Sequence, residues 1–156
     1  SQDAAIRETV EETGISREHI KIIGKLPVML APMGVIIEAY PAFLEIEDIK
    51  KLNFNKKEVE EIFCIPLDYF IANEPEVYYL ISELSPYFIN AEGRKVDTLP
   101  VEELKLPLKY MKKRRGKDAK VFFYNTSEGP LWGITARLVY ETVKIIKGNG
   151  IAEFKK

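Results

Sequence analysis

The sequence predicts an α/β fold in which helices are layered on strands, and three observations predict it. Apolar runs rich in β-branched residues, broken by Pro and Gly, fill much of the chain between amphipathic helical patterns at its two ends. With 156 residues, 46% of them hydrophobic and 30% charged, the chain is long enough to bury a core of its own. No repeat, low-complexity tract or Gly/Ser-rich linker interrupts it, so residues 1–156 are expected to form a single domain.

The elements follow in chain order. Ala4 to Thr13 reads as a helix stopped by Gly14, a residue suited to the left-handed position after a helix C-terminus. The runs "IKIIGKL" and "PVMLAPMGVIIEAYPAFLEI" predict two or three strands, with turns near Gly24 and Pro32-Met33-Gly34. "EVEEIFCIPL" predicts a further strand, apolar on both faces at its far end as expected of a strand covered from both sides. "LDYFIANE" predicts a short helix after Pro66, while Ser85 to Gly116 is turn-rich and resists classification. "KVFFYN" is a strand, and Leu131 to Lys147 is the clearest helix, with an apolar stripe of Ile134, Leu138, Val139, Thr142, Val143, Ile145 and Ile146.

Composition excludes several function classes. A formal net charge of −1 gives no global field that would draw the chain to nucleic acid or to an anionic membrane. No apolar run approaches the roughly 18 residues of a membrane span, and no signal peptide is visible, so a cytoplasmic protein is expected. The single cysteine, Cys64, cannot form an internal disulfide, and its apolar neighbours predict a buried structural thiol. No Ser-His-Asp arrangement and no Gly-rich phosphate loop can be assembled, and His19, lacking a second His or a Cys nearby, reads as a surface residue.

The chemistry concentrates in "AAIRETVEETGI", Ala4 to Ile15. Residues three and four apart are neighbours on a helix, so Glu8, Glu11 and Glu12 fall in one arc while Ile6, Val10 and Thr13 lie nearly opposite. Like-charge neighbours of this kind cost a few tenths of a kcal/mol each, and Arg7, four residues before Glu11, offsets only part. A solvated surface face is one reading. The other is a divalent cation, since clustered hard oxygen ligands on a rigid helix suit Mg²⁺ or Mn²⁺, which such sites share with substrate phosphates.

These residues also carry a resemblance. "RETVEETGI", Arg7 to Ile15, resembles the second half of the Nudix box, Arg-Glu-U-x-Glu-Glu-x-Gly-U, where U is a bulky aliphatic residue. Arg7, Glu8, Glu11, Glu12, Gly14 and Ile15 match; Thr9 stands where the first aliphatic is expected, a position that mainly needs packing. The resemblance implies a Nudix-like α/β/α sandwich with a mixed sheet and metal-dependent hydrolysis of a nucleotide-linked diphosphate. It implies Glu11 and Glu12 as metal ligands, Glu8 as a third ligand or a base for water, and Arg7 as a residue orienting a glutamate. Gly14 would be structural.

The general base varies within this superfamily. "NKKEVEEIF" offers Glu58, Glu60 and Glu61, of which Glu58 is preferred because "NKKEVEEIFCIPL" is similar to a segment of the coenzyme A pyrophosphatase branch. An acidic, solvent-facing strand end is the competing reading. Further stretches similar to that branch are "LP" followed by "PMGVII", and "KVFFYNTSEGPLWGITARLVYE", which extend the resemblance from about Ala4 to Ile146. Taken alone, "WGITAR" reads as a packing corner at a helix start.

The reaction implied is hydrolysis of coenzyme A or acyl-coenzyme A to 3′,5′-ADP and 4′-phosphopantetheine or its acylated form. The basic cluster Lys112, Lys113, Arg114, Arg115 and Lys117 could then contact substrate phosphate, although a solvated loop before a strand is the favoured reading. Another nucleotide-linked diphosphate (ADP-ribose, an ADP-sugar or NADH) and a non-catalytic Nudix-fold module that binds a nucleotide or a protein both stay open, as does a homodimer. Counted back from Arg7, the box's opening Gly and isolated Glu fall before Ser1, so the resemblance implies an N-terminally incomplete domain whose sheet lacks its first strands.

Overall fold

The computed structural model describes residues 1–31 and 34–149, and the backbone alone of Asn149. It is a mixed α/β chain built of two compact units, Ser1–Val77 with Phe122–Lys156, and Tyr78–Val121.

The first unit opens with α1 (Gln2–Thr13), whose N-cap is the Ser1 side chain and whose C-cap is Gly14 in the left-handed conformation. The helical period predicted for this stretch is realised, with Ile6 buried and Val10 packed beside it. Both lie against Ile15 and Ile20, in a small core that Ile22, Ala42, Ile46 and Leu52 complete. Strand β1 (Ile20–Ile22) pairs antiparallel with β4 (Ala42–Leu44). Between them β2 (Met29–Leu30) and β3 (Ile36–Ile37) form a hairpin closed by the Ala31 carbonyl, which accepts from Gly34 N–H at 2.9 Å. The strands predicted in this region are therefore present; Pro32 and Met33 of the predicted turn lie outside the described residues. The hairpin buries Met29, yet Leu30 and Ile36 face each other 68% and 69% exposed.

The second core of this unit gathers Phe70, Phe122, Tyr124, Ala136 and Val143. These come from α2 (Leu67–Ala72), β10 (Ala119–Thr126) and α3 (Gly133–Asn149). Edge-to-face rings hold its centre: Phe70 and Tyr124 lie 5.1 Å apart at 84°. The Tyr69 hydroxyl donates to the Asn125 carbonyl at 2.6 Å, and Lys147 pairs with Glu74 at 3.2 Å. Strand β11 (Gly129–Trp132) returns from β10 through a turn in which the Thr126 hydroxyl donates to the Gly129 carbonyl at 2.6 Å. With β5 (Glu76–Leu80) these strands make a three-stranded sheet in the order β11, β10, β5.

The second unit contains the antiparallel pair β7 (Tyr87–Ile89) and β8 (Lys95–Asp97). A second pair joins β6 (Glu83–Leu84) to β9 (Arg114–Arg115). The unclassified stretch Ser85 to Gly116 thus consists of short strands, turns and a 3-10 helix, Leu108–Met111.

Three expectations are corrected. "EVEEIFCIPL" forms no strand: it runs as turn and irregular chain into α2, with Phe63 48% exposed. Its far end is apolar on both faces, but no strand pairs with it, so periodicity alone did not decide the conformation. Cys64, in the same segment, is exposed rather than buried. Helix α3 begins at Gly133 instead of Leu131, because Leu131 and Trp132 remain paired in β11; Trp132 is 65% exposed and does not form a packing corner. The described residues hold five small sheets, because most strands run only two to five residues before the chain turns away. Among the described residues no helix is long and apolar enough to cross a membrane.

Candidate functional site

The C-terminal turns of α1 present Glu8, Glu11 and Glu12 on the exposed side, opposite buried Ile6, as the helical period requires. Arg7 sits among them. Its Nη2 donates to Glu8 Oε1 at 2.6 Å and its Nε lies 3.7 Å from Glu11 Oε1. These carboxylates hold the Arg7 guanidinium above its ordinary pKa, chiefly through the hydrogen bond to Glu8. Thr9 turns its hydroxyl back to the Ala5 carbonyl at 2.8 Å, which satisfies that polar group on a half-buried helix face.

Gly14 is required twice over. Its φ of 73° lies in the left-handed region, and a Cβ there would fall well under 3.0 Å from the Asn53 carbonyl oxygen and 3.0 Å from the carbonyl carbon. The segment after Asn53 therefore packs directly on the end of the helix. Two residues on, Asn55 N–H donates to the Glu12 carbonyl at 2.8 Å, satisfying one of the carbonyls a helix end leaves without a partner. The Asn55 carbonyl accepts from Glu58 N–H at 3.0 Å and from Val59 N–H at 2.9 Å, and its Oδ1 accepts from Lys57 N–H at 3.1 Å. The backbone thus brings the Glu58 loop to the helix end that bears Glu11 and Glu12. Glu58 stands exposed on a turn rather than at a strand end, with Glu60 and Glu61 exposed beyond it.

As a donor set, hard carboxylate oxygens on an exposed helix face suit a divalent cation such as Mg²⁺ or Mn²⁺. The Arg7 guanidinium, within reach of both Glu8 and Glu11, occupies the place where positive charge is called for. Among the described residues no three His, Cys, Asp or Glu groups converge closely enough to hold a metal ion.

The basic cluster lies in the second unit. Strand alternation splits it. Lys113 reaches Glu83 at 3.4 Å and Arg115 is paired with Asp118, whose carboxyl is held below its ordinary pKa mainly by that hydrogen bond. Arg114 instead stacks over the Tyr110 ring at 4.6 Å, with Lys109 over the same ring at 5.3 Å. His19 is exposed, as expected. What reading the sequence missed is the connecting role of Asn55. An Asn followed two residues later by an N–H its side chain accepts was the available signal.

Comparison with known proteins places coenzyme A diphosphatases beside this chain. It is 36% identical over 80 residues to the peroxisomal coenzyme A diphosphatase ndx-8 of Caenorhabditis elegans, covering 51% of this chain and 33% of that protein. It is 32% identical over 79 residues to the peroxisomal coenzyme A diphosphatase NUDT7 of Mus musculus, covering 48% of this chain and 30% of that protein. The matches thus span about a third of the length of these curated relatives. No family model matches the chain, and no solved structure matches it significantly.

Proposed function

We propose that this chain carries the catalytic centre of a Nudix diphosphatase, in the α/β/α sandwich of that superfamily, acting on coenzyme A or an acyl derivative. The observation that carries the reading is the junction of two segments: the Glu8, Glu11 and Glu12 face of α1, and the Glu58 loop hydrogen-bonded to its last turn. Similarity to the two curated coenzyme A diphosphatases supports the substrate class.

In this reading Glu11 and Glu12, with Glu8, hold Mg²⁺ or Mn²⁺. When bound, such a cation supplies positive charge against the diphosphate oxygens and makes water more acidic. The chain's own residues do the rest. Arg7 keeps Glu8 and Glu11 oriented through its guanidinium, 2.6 Å from Glu8 Oε1 and 3.7 Å from Glu11 Oε1. Glu58 accepts a proton from water as the water oxygen bonds to phosphorus and the bridging P–O bond breaks. The products are 3′,5′-ADP and (acyl)phosphopantetheine.

The test is direct. The protein is incubated with Mg²⁺ or Mn²⁺ and coenzyme A, acyl-coenzyme A, ADP-ribose, NADH and nucleoside triphosphates, and products are resolved by chromatography. Cleavage of coenzyme A to 3′,5′-ADP, abolished by chelator, is expected. Preference for ADP-ribose or NADH would move the assignment to another nucleotide-linked diphosphate. Nucleotide binding without turnover would make the chain a non-catalytic module.

A further inference from the structure

We propose that Asn55 is a positioning residue that latches the Glu58 loop onto the end of α1, so that Glu58 and the helix glutamates work as one unit. The inference rests on the diphosphatase reading above. Every hydrogen-bonding function of Asn55 but its side-chain N–H₂ is committed to the junction. Its main-chain N–H goes to the Glu12 carbonyl, its carbonyl to Glu58 and Val59 N–H, and its Oδ1 to Lys57 N–H. Glu12 and Glu58 are therefore separated by a single residue's peptide groups, each link a hydrogen bond of 2.8 or 3.0 Å.

The side chain is what makes the link specific to this residue type. A short acceptor reaching the N–H two residues ahead closes an Asx turn, which Asn and Asp form readily and Ser more weakly. Without it the backbone links remain available, but the loop between Asn55 and Glu58 loses the bond that selects its turn. Gly14 supports the same latch from the other side by admitting the Asn53 carbonyl against the helix end. Asn55 itself is half-buried, while Glu58 is exposed; the anchor is shielded and the acid faces solvent.

The experiment is a double-mutant cycle with an independent structural readout. Steady-state kcat and KM for coenzyme A with Mg²⁺ are measured for wild type, Asn55→Ala, Asn55→Asp, Glu58→Gln and the Asn55→Ala/Glu58→Gln pair. Amide hydrogen exchange at Glu58 and Val59 is followed in the same proteins. Asn55→Ala is expected to lower kcat by about 10- to 100-fold, the scale of a misplaced reacting group, with KM nearly unchanged. Asn55→Asp should recover most of that loss. In the Glu58→Gln background Asn55→Ala should cost less than about twofold more, because residues acting as a unit are not additive. Exchange at both amides should accelerate in Asn55→Ala and not in Asn55→Asp.

An equal kcat penalty in both backgrounds, or failure of Asn55→Asp to rescue, overturns the proposal. Should Asn55→Ala not fold, the Asn55→Asp rescue and an Asn55→Ser variant with a partial loss carry the same comparison. Wild-type protein inert toward every diphosphate, or Glu58→Gln at full wild-type rate, overturns the functional reading itself. Accelerated exchange alongside inert protein would leave the latch a purely structural tie.

Discussion

Gly14→Ala offers the sharpest test of how α1 and the 53–59 segment are joined. The substitution adds a Cβ at φ 73°, which alone costs about 1–2 kcal/mol for an L residue held in the left-handed region. It also drives that carbon against the Asn53 carbonyl, whose carbon would lie only 3.0 Å away. A backbone carbonyl cannot swing aside as a flexible side chain does, so the segment must retreat and stretch the Asn55–Glu12 hydrogen bond, worth about 0.5–1.5 kcal/mol net. The sum is about 1.5–3.5 kcal/mol. Gly133 isolates the first contribution, because its φ is 69° and nothing lies within 4 Å of a Cβ built there. Urea unfolding of both alanine variants should give unchanged m values, with the midpoint of Gly14→Ala falling about twice as far as that of Gly133→Ala. Equal shifts for the two would refute the steric contact and, with it, the packing of the 53–59 segment on the helix end.

Glu11→Gln and Glu12→Gln should each lower turnover by orders of magnitude while far-UV circular dichroism stays unchanged, and wild-type turnover in excess chelator would rule out the metal-dependent mechanism. Tyr124 is 2% exposed and its hydroxyl finds no hydrogen-bond partner among the described residues, so Tyr124→Phe should stabilise the protein by about 1 kcal/mol in thermal unfolding. Burial also pushes Tyr124 up from 10.0 to about 12, so the unfolded chain releases its proton first and stability is lost as pH rises from 10 toward 12. The Phe variant should lack that share of the alkaline loss, and a steeper loss than wild type would contradict it.

Helix α1 was legible because two signals agree there, the apolar period and a glycine stop at the end; the Ser1 cap emerged only from the structure. The β10 strand and α2 were legible for similar reasons, since aromatic residues in short runs pack onto one face and find partners in Ala136 and Val143. The segment 58–66 was not. Its residues favour an extended conformation, but a strand exists only where another offers its hydrogen bonds, and that partnership is a property of the whole fold. Strand β5 escaped notice for the converse reason: "EVYYL" follows an irregular, proline-containing segment and is exposed along its length, so no burial pattern announces it. Of the candidate site, the acidic arc could be read from spacing alone. The nearness of Glu58 could not, because a hydrogen bond between residues 12 and 55 leaves no periodic trace.

Cys64 gives the 58–66 segment a practical use. It is the sole thiol in this chain, it is exposed, and it lies in irregular chain between the Glu58 turn and α2. A maleimide fluorophore or nitroxide can be attached there without first stripping other cysteines from this chain. Such a label would sit a few residues from the turn and report, in real time and by emission or spin mobility, whether that stretch stiffens when nucleotide and cation are added together.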